Sequence, residues 1–290
     1  MRHTLLVPLI TPFRDGAVDM ASWQQLVGHY VNTEASGLVI AGTTGEGGAL
    51  RAEETALLTM AAREVAGPGY PLWLGISGNV TAQVVCRTEQ ANEWPVDGYL
   101  ISTPYYNRPP EEGVIAFFET LHAASCRDII LYNIPYRTGF NLSNDGVRRL
   151  ARLPRIAGIK DACAIAAQSV DLLLDHPEGF SVLTGEDRFY FTALRLGGDG
   201  GILASAHLRT DDFVALARAV RNGDTDRAGE LWRGLLPLID MAFAAPNPAP
   251  LKQALMVRGL IASAELRPPM MPVPRDLAMR IEAMCQNGII

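Results

Sequence analysis

Cysteine is sparse in this sequence and never paired: Cys86, Cys126, Cys163 and Cys285 are scattered over 290 residues with no C-x-x-C spacing. A disulfide framework and a cysteine-held zinc are thereby excluded, and free, mostly buried thiols in a reducing cytoplasm are expected. No apolar run is long enough to span a bilayer. The N-terminal MRHTLLVPLITPF has one Arg, an apolar stretch broken by Pro8 and no small-residue cleavage site, so it reads as a first strand. Charge of one sign is not concentrated anywhere. The net charge of −6, with acids and bases interspersed, excludes a nucleic-acid footprint and a polybasic membrane patch. His3, His29, His122, His176 and His207 are not spaced with carboxylates or cysteines as a metal set would be, and read as structural or surface imidazoles. The Gly-rich stretches lack a G-x-G-x-x-G opening a helix after the first strand. Small molecules and further copies of the chain are the expected partners, with no nucleic acid, no membrane, no metal and no organic cofactor.

What is present is ample apolar material, 48% of residues, enough for a large core. Short runs rich in Val, Ile and Leu recur at Leu5–Leu9, Gly37–Ala41, Leu72–Ile76, Gly98–Ile101, Ile129–Asn133, Ile156–Lys160, Phe180–Thr184 and Gly201–Ala204. Each is nearly continuous in apolar residues, as strands buried on both faces are. Between the first two, Trp23, Leu26, Val27, Tyr30 and Val31 fall on one helical face, and Asp19 or Ser22 is placed to cap it. Helices are also expected over Glu53–Val65, Thr81–Glu93, Glu111–Ala124, Ser143–Leu150, Ala166–Leu174, Arg188–Leu196 and Thr210–Arg221. Strands alternating with helices over residues 1–223 predict a (β/α)8 barrel of the TIM type, with a doubly wound open sheet as the alternative. After Gly223 helices follow without strands, Asp224–Phe243, Leu251–Gly259 and Leu277–Gln286. This predicts a C-terminal helical appendage over 224–290.

The unusual residues fall at the carboxyl ends of the expected strands, where a barrel carries its site. Ile156-Ala157-Gly158-Ile159-Lys160 is an apolar strand ending in a lysine, and a desolvated amine retains a larger neutral fraction able to attack a ketone. The plain alternative is that Lys160 pairs with Asp161 or snorkels to the surface. The second strand ends in Gly42-Thr43-Thr44-Gly45-Glu46, whose hydroxyls and main-chain N–H groups suit a carboxylate. The fourth ends in Tyr105-Tyr106-Asn107 and the fifth in Tyr132-Asn133-Ile134-Pro135-Tyr136-Arg137. Phenols relay protons and a guanidinium clamps a carboxylate, unless the tyrosines merely pack on the rim and Arg137 pairs with Asp145 or Glu112. Gly185, and Gly197 to Gly201 before Ile202, leave room and bare carbonyls near the lysine.

Gly42-Thr43-Thr44-Gly45-Glu46, Tyr105-Tyr106-Asn107-Arg108-Pro109, Tyr132-Asn133-Ile134-Pro135-Tyr136-Arg137-Thr138-Gly139 and Gly158-Ile159-Lys160-Asp161 occur in the order and spacing of a known family. With them, the chain resembles the dihydrodipicolinate synthase/N-acetylneuraminate lyase superfamily over essentially its whole length, and its synthase branch in particular. Pro246-Asn247-Pro248 in the tail is similar too. The resemblance implies a lyase of the class I aldolase type that condenses pyruvate with aspartate semialdehyde in diaminopimelate and lysine biosynthesis. It implies an imine on Lys160, a proton relay of Thr44, Tyr106 and Tyr132, Thr43 and Thr44 on the pyruvate carboxylate, Arg137 on the acceptor carboxylate, and Ile202 and Gly185 lining the site. It further implies a homotetramer in which Tyr106 enters a neighbour's site. Tyr136, Arg188 and Gly47-Gly48 depart from the synthase pattern and keep open a related aldolase acting on another 2-oxo acid, or a non-catalytic binder of such acids. Ala52, Thr55 and Gln83 replace residues of the family's lysine-inhibition site, so weak or absent inhibition by lysine is expected.

Overall fold

The apolar runs form strands with both faces covered. The computed structural model describes residues 5–290, so the reading of His3 falls outside the described residues. Strand β1 (Leu5–Pro8) is followed by a ribbon, β2 (Phe13–Arg14) and β3 (Ala17–Val18). Then come β4 (Gly37–Ile40), β5 (Leu72–Ile76), β6 (Gly98–Ser102) and β7 (Asp128–Asn133). The series ends with β8 (Ile156–Asp161), β9 (Ser181–Thr184) and β10 (Gly200–Ile202). Apart from the ribbon, these strands are parallel and close into a barrel in the order β1-β10-β9-β8-β7-β6-β5-β4. The (β/α)8 reading holds and the open sheet is excluded.

Alternation along each strand divides the core into two layers. Leu6, Val39, Trp73, Leu100, Ile130, Leu183 and Ile202 fill the barrel. Their neighbours Leu5, Val7, Leu38, Ile40, Leu74, Ile129 and Leu131 face the surrounding helices. Register carries this alternation to the carboxyl ends, where Ser102 pairs with Tyr132 and Tyr132 with Lys160. The lysine and the phenol are therefore held side by side by backbone pairing alone.

The helices Glu111–Ala124, Ala166–Leu174 and Thr210–Arg221 lie where their periodicity places them. Asp19 is the cap of Met20–Val31, its carboxylate accepting from the Ser22 N–H at 3.1 Å. The expected helix over Arg188–Leu196 differs: a 3-10 turn at Asp187–Phe189 precedes a short helix, Tyr190–Arg195. The cause is Asp187, whose buried carboxylate accepts from the Ser205 N–H at 2.8 Å and from the Ser205 hydroxyl, pinning the chain there. The ribbon was not legible from periodicity, since its strands have two residues each. Its signal was the dipeptide Asp15-Gly16, with φ of 53° and 78°, as a two-residue hairpin of the primed type requires.

Beyond Gly223 the helices Thr225–Ala242, Ala249–Val257 and Arg275–Gln286 follow. Their Leu235, Leu238, Leu251, Leu255 and Ile281 join the same hydrophobic core as the outward-facing barrel residues. The expectation of mostly buried thiols fails: Cys163 alone is buried, Cys285 is half-buried, and Cys86 and Cys126 are exposed. Neither of the last two faces the barrel side of its segment. His207 is structural, buried and accepting from the Ile10 N–H through Nε2 at 3.2 Å. Among the described residues no helix is long and apolar enough to cross a membrane.

Candidate active site

Lys160 sits in the last turn of pleat on β8, with 6% of its surface exposed. Burial pushes its amine down to about 8, against the pull of the Asp187 and Glu186 carboxylates toward the charged form. Its Nζ lies 4.2 Å from the centroid of the Tyr132 ring. The pairing with Asp161 does not occur: strand alternation turns that carboxylate away, to the Ser169 hydroxyl at 2.5 Å and the Cys163 N–H at 3.2 Å. Room for the lysine comes from Gly185, the residue after β9. A Cβ there would stand 2.6 Å from Lys160 Cε and 3.0 Å from Cγ. Gly185 therefore acts on the site through the path of the lysine side chain.

Tyr132 is buried beside it, and burial raises its phenol well above the usual range while a hydrogen bond with Thr43 opposes the shift. The two threonines after β4 thus separate. Thr43 is on the phenol, whereas the Thr44 hydroxyl, buried, accepts from Asn247 Nδ2 at 2.9 Å.

The Thr43-Thr44 loop is tied down from the C-terminal helices. Glu46, in the left-handed region at φ 51°, is buried, and its Oε1 lies 2.5 Å from the Nζ of Lys252, a side chain with no exposed surface. Its Oε2 accepts from the Arg267 N–H at 3.0 Å. Lys252 also donates to the Glu265 carbonyl at 2.7 Å and lies 4.2 Å from the Phe13 ring centroid. Burial pushes its amine down to about 8 even with Glu46 in contact. The chain has no lysine besides Lys160 and Lys252, and both are buried. Gly47 completes the loop, since a Cβ there would lie 1.9 Å from the Ala41 carbonyl oxygen. This close approach explains one of the paired glycines that depart from the synthase pattern.

Above this floor opens a cavity of about 160 Å³ lined by Thr43, Ser102, Tyr105, Tyr132, Ile134 and Arg137, among others. Arg137 is carried on a single helical turn, Pro135–Thr138, started by Pro135 and ended by Gly139 at φ 77°. Asn133 fixes the far side of that loop, its side chain bonding Asn141 at 2.9 Å and the Leu142 N–H at 3.1 Å. Asp145 and Glu112 are taken by Arg148 and Arg149, so neither holds Arg137. The guanidinium lies instead 5.4 Å over the ring of Tyr136. Arg188 is exposed and pairs with Asp240.

Ile202 places its side chain in the barrel interior below the lysine. Tyr106 is not brought to the site within one chain: it is 85% exposed, at φ 70°, with its N–H on the Thr138 carbonyl at 3.1 Å. Ala52, Thr55 and Tyr105 line an adjoining cavity of about 450 Å³. Sequence reasoning gave no role to Asn247 or Lys252. Asn247 carried a faint signal in its flanking prolines; Lys252 lies within a helical pattern that says nothing of a charge partner two hundred residues away. Among the described residues no cluster of His, Cys, Asp and Glu is disposed to hold a metal.

The Dihydrodipicolinate synthetase family model matches residues 1–287. The chain is 41% identical over 277 residues to 4-hydroxy-tetrahydrodipicolinate synthase 2 of Clostridium acetobutylicum, covering 96% of this chain and 97% of that protein. Its fold superimposes on the dihydrodipicolinate synthase of Aquifex aeolicus with a TM-score of 0.94 at 30% identity, covering 99% and 98% of the two chains. For the Thermotoga maritima synthase the TM-score is 0.95 at 29% identity, with full coverage of both. By sequence along its whole length and by the layout of its barrel, the chain belongs to the dihydrodipicolinate synthetase family.

Proposed function

We propose that this protein condenses pyruvate with aspartate semialdehyde to 4-hydroxy-tetrahydrodipicolinate through an imine on Lys160. The observation that carries the reading is the amine itself: buried, held down to about 8, and beside a phenol under a small cavity. Neutral Lys160 adds to the pyruvate ketone, and the carbinolamine loses water to give the imine. The protonated imine is an electron sink, so the pyruvate methyl loses a proton and the resulting enamine attacks the aldehyde carbon. Tyr132, hydrogen-bonded with Thr43, is positioned to pass protons in and out of this sequence. Thr44, buried and oriented by Asn247, serves with Thr43 at the carboxylate of pyruvate.

Arg137 takes the acceptor's carboxylate. The guanidinium lies over the Tyr136 ring, and Arg188, one of the side chains that favoured a different acceptor, is engaged by Asp240. Arg137→Ala is expected to raise KM for aspartate semialdehyde about tenfold or more, the worth of a charge-assisted hydrogen bond. The pyruvate imine should form as before; equal loss of both would contradict the assignment. The exposed Tyr106 supports an assembly, proposed as a homotetramer, in which this phenol completes the relay of a neighbouring copy's Tyr132 and Thr44.

The test is turnover of pyruvate plus aspartate semialdehyde coupled to the downstream reductase and followed as loss of reduced nicotinamide. A rate in the ordinary enzyme range of about 1–10³ per second is expected. No turnover would pass the protein to the aldolases of other 2-oxo acids.

A further inference from the structure

One hydroxyl of the candidate site has nothing within the protein to bond. Ser102 ends β6, a strand made otherwise of Gly98, Tyr99, Leu100 and Ile101. Leu100 fills the barrel, and alternation turns Ser102, two residues on, toward the barrel interior as well. Ser102 lines the cavity shared with Thr43, Tyr132 and Arg137, and 7% of its surface is exposed. Its Oγ is buried and makes no hydrogen bond, the sole such hydroxyl among the described residues. A side chain that stands perpendicular to the sheet cannot reach the carbonyls of its own ladder.

Other hydroxyls of that cavity wall are taken. Thr43 is on Tyr132, and Thr138 donates to the Ile134 carbonyl at 3.1 Å. A buried hydroxyl without a partner costs stability, and an alanine at the same place would carry no such cost. Native structures retain such a group where a ligand or an ordered water completes it.

Strand register narrows the choice of ligand. Ser102 pairs with Tyr132 and Tyr132 with Lys160, so the phenol's strand stands between the serine and the reacting amine. A carbon bonded to Lys160 belongs to the far side of that phenol. On the serine's side the cavity carries Arg137, the proposed clamp for the acceptor's carboxylate. A carboxylate has lone pairs for more than one donor, and a hydroxyl supplies one without adding charge. The geometry points to Ser102 as a further specificity-determining residue, its hydroxyl donating to the acceptor's carboxylate beside Arg137. This rests on the condensation proposed above. With two donors on one carboxylate, the site selects for an aldehyde that carries an acid group over one that does not.

Ser102→Ala tests the assignment. KM for aspartate semialdehyde is expected to rise about tenfold, the worth of a hydrogen bond to a charged group, with kcat within about threefold of wild type. Borohydride trapping of the pyruvate imine, titrated with pyruvate, should not change. The midpoint of urea unfolding should hold or rise, because the exchange removes a buried hydroxyl that the free protein leaves unpaired. A serine that merely supported the barrel would lower that midpoint and leave KM alone, overturning the inference. Added to Arg137→Ala, the same substitution should cost less than it does alone, since both donors serve one carboxylate. Fully independent losses would overturn the pairing with Arg137, and an equal loss of pyruvate trapping would overturn the placement at the acceptor. Wild-type protein that traps pyruvate but never turns over aspartate semialdehyde would remove the acceptor assignment beneath the inference, whereas an unaltered KM in a wild type that does turn over sinks the inference alone.

Discussion

Lys160→Ala abolishes the borohydride-trapped pyruvate adduct and lowers turnover by on the order of 10⁴-fold or more, the expected result when a covalent catalyst loses its nucleophile. With its amine held near 8, about one lysine in ten is neutral at pH 7, against about one in three thousand for an ordinary lysine. Adduct formation in the wild-type protein should consequently rise with pH up to about 8 and level off above it, because the nucleophile is the deprotonated form. Intact mass after reduction, followed by peptide mapping, checks both statements. The chain makes this assay unusually clean. The competing side-chain amine is Lys252, which is shut away against Glu46 and has no exposed surface. An adduct that persists in Lys160→Ala and maps to Lys252 would overturn the assignment.

The second large effect concerns Lys252 itself. Lys252→Met leaves the Glu46 carboxylate buried with its cation gone, and breaking a buried pair from one side costs about 3–5 kcal/mol. The midpoint of urea unfolding should fall accordingly, with an unchanged slope if the native state keeps its compactness. Adding Glu46→Gln should recover most of that loss, since the neutral amide can still accept from the Arg267 N–H while no charge is left unpaired. A single variant within about 1 kcal/mol of wild type would show that the pair carries little. Because Glu46 closes the loop that bears Thr43 and Thr44, the damaged protein should also lose activity before it unfolds.

The barrel was legible because strands buried on both faces must be continuously apolar, and Leu72–Ile76 or Ile129–Asn133 have no other use for such composition. Lys160 drew attention for the same reason, since a charge at the end of such a run is out of place, although the run by itself suits a paired or snorkelling lysine equally. What escaped depends on side-chain direction in the turns that follow the strands. Thr43 and Thr44 are adjacent, equivalent in chemistry and separated only by which way each points. The roles of Asn247, Lys252 and Glu46 depend on contacts across most of the chain, which no local pattern encodes. Arg188 shows the same limit, because a sequence reveals that a charged residue is present near a site and leaves open that Asp240 engages it.

Both lysines are buried, and the outer surface carries its positive charge as arginine. An enzyme that handles a ketone and an aldehyde is bathed in reagents that condense with primary amines, whereas the guanidinium, charged at any working pH, is a far poorer partner for them. Arginine in place of lysine thus keeps the exterior inert to the protein's own substrates. The same property sets practical terms for handling it: amine-directed cross-linkers and resins will find no exposed lysine on the folded protein, small amine reagents that enter the cavity will meet Lys160, and Lys252 will react only as the core around it opens, so that labelling at Lys252 reports unfolding.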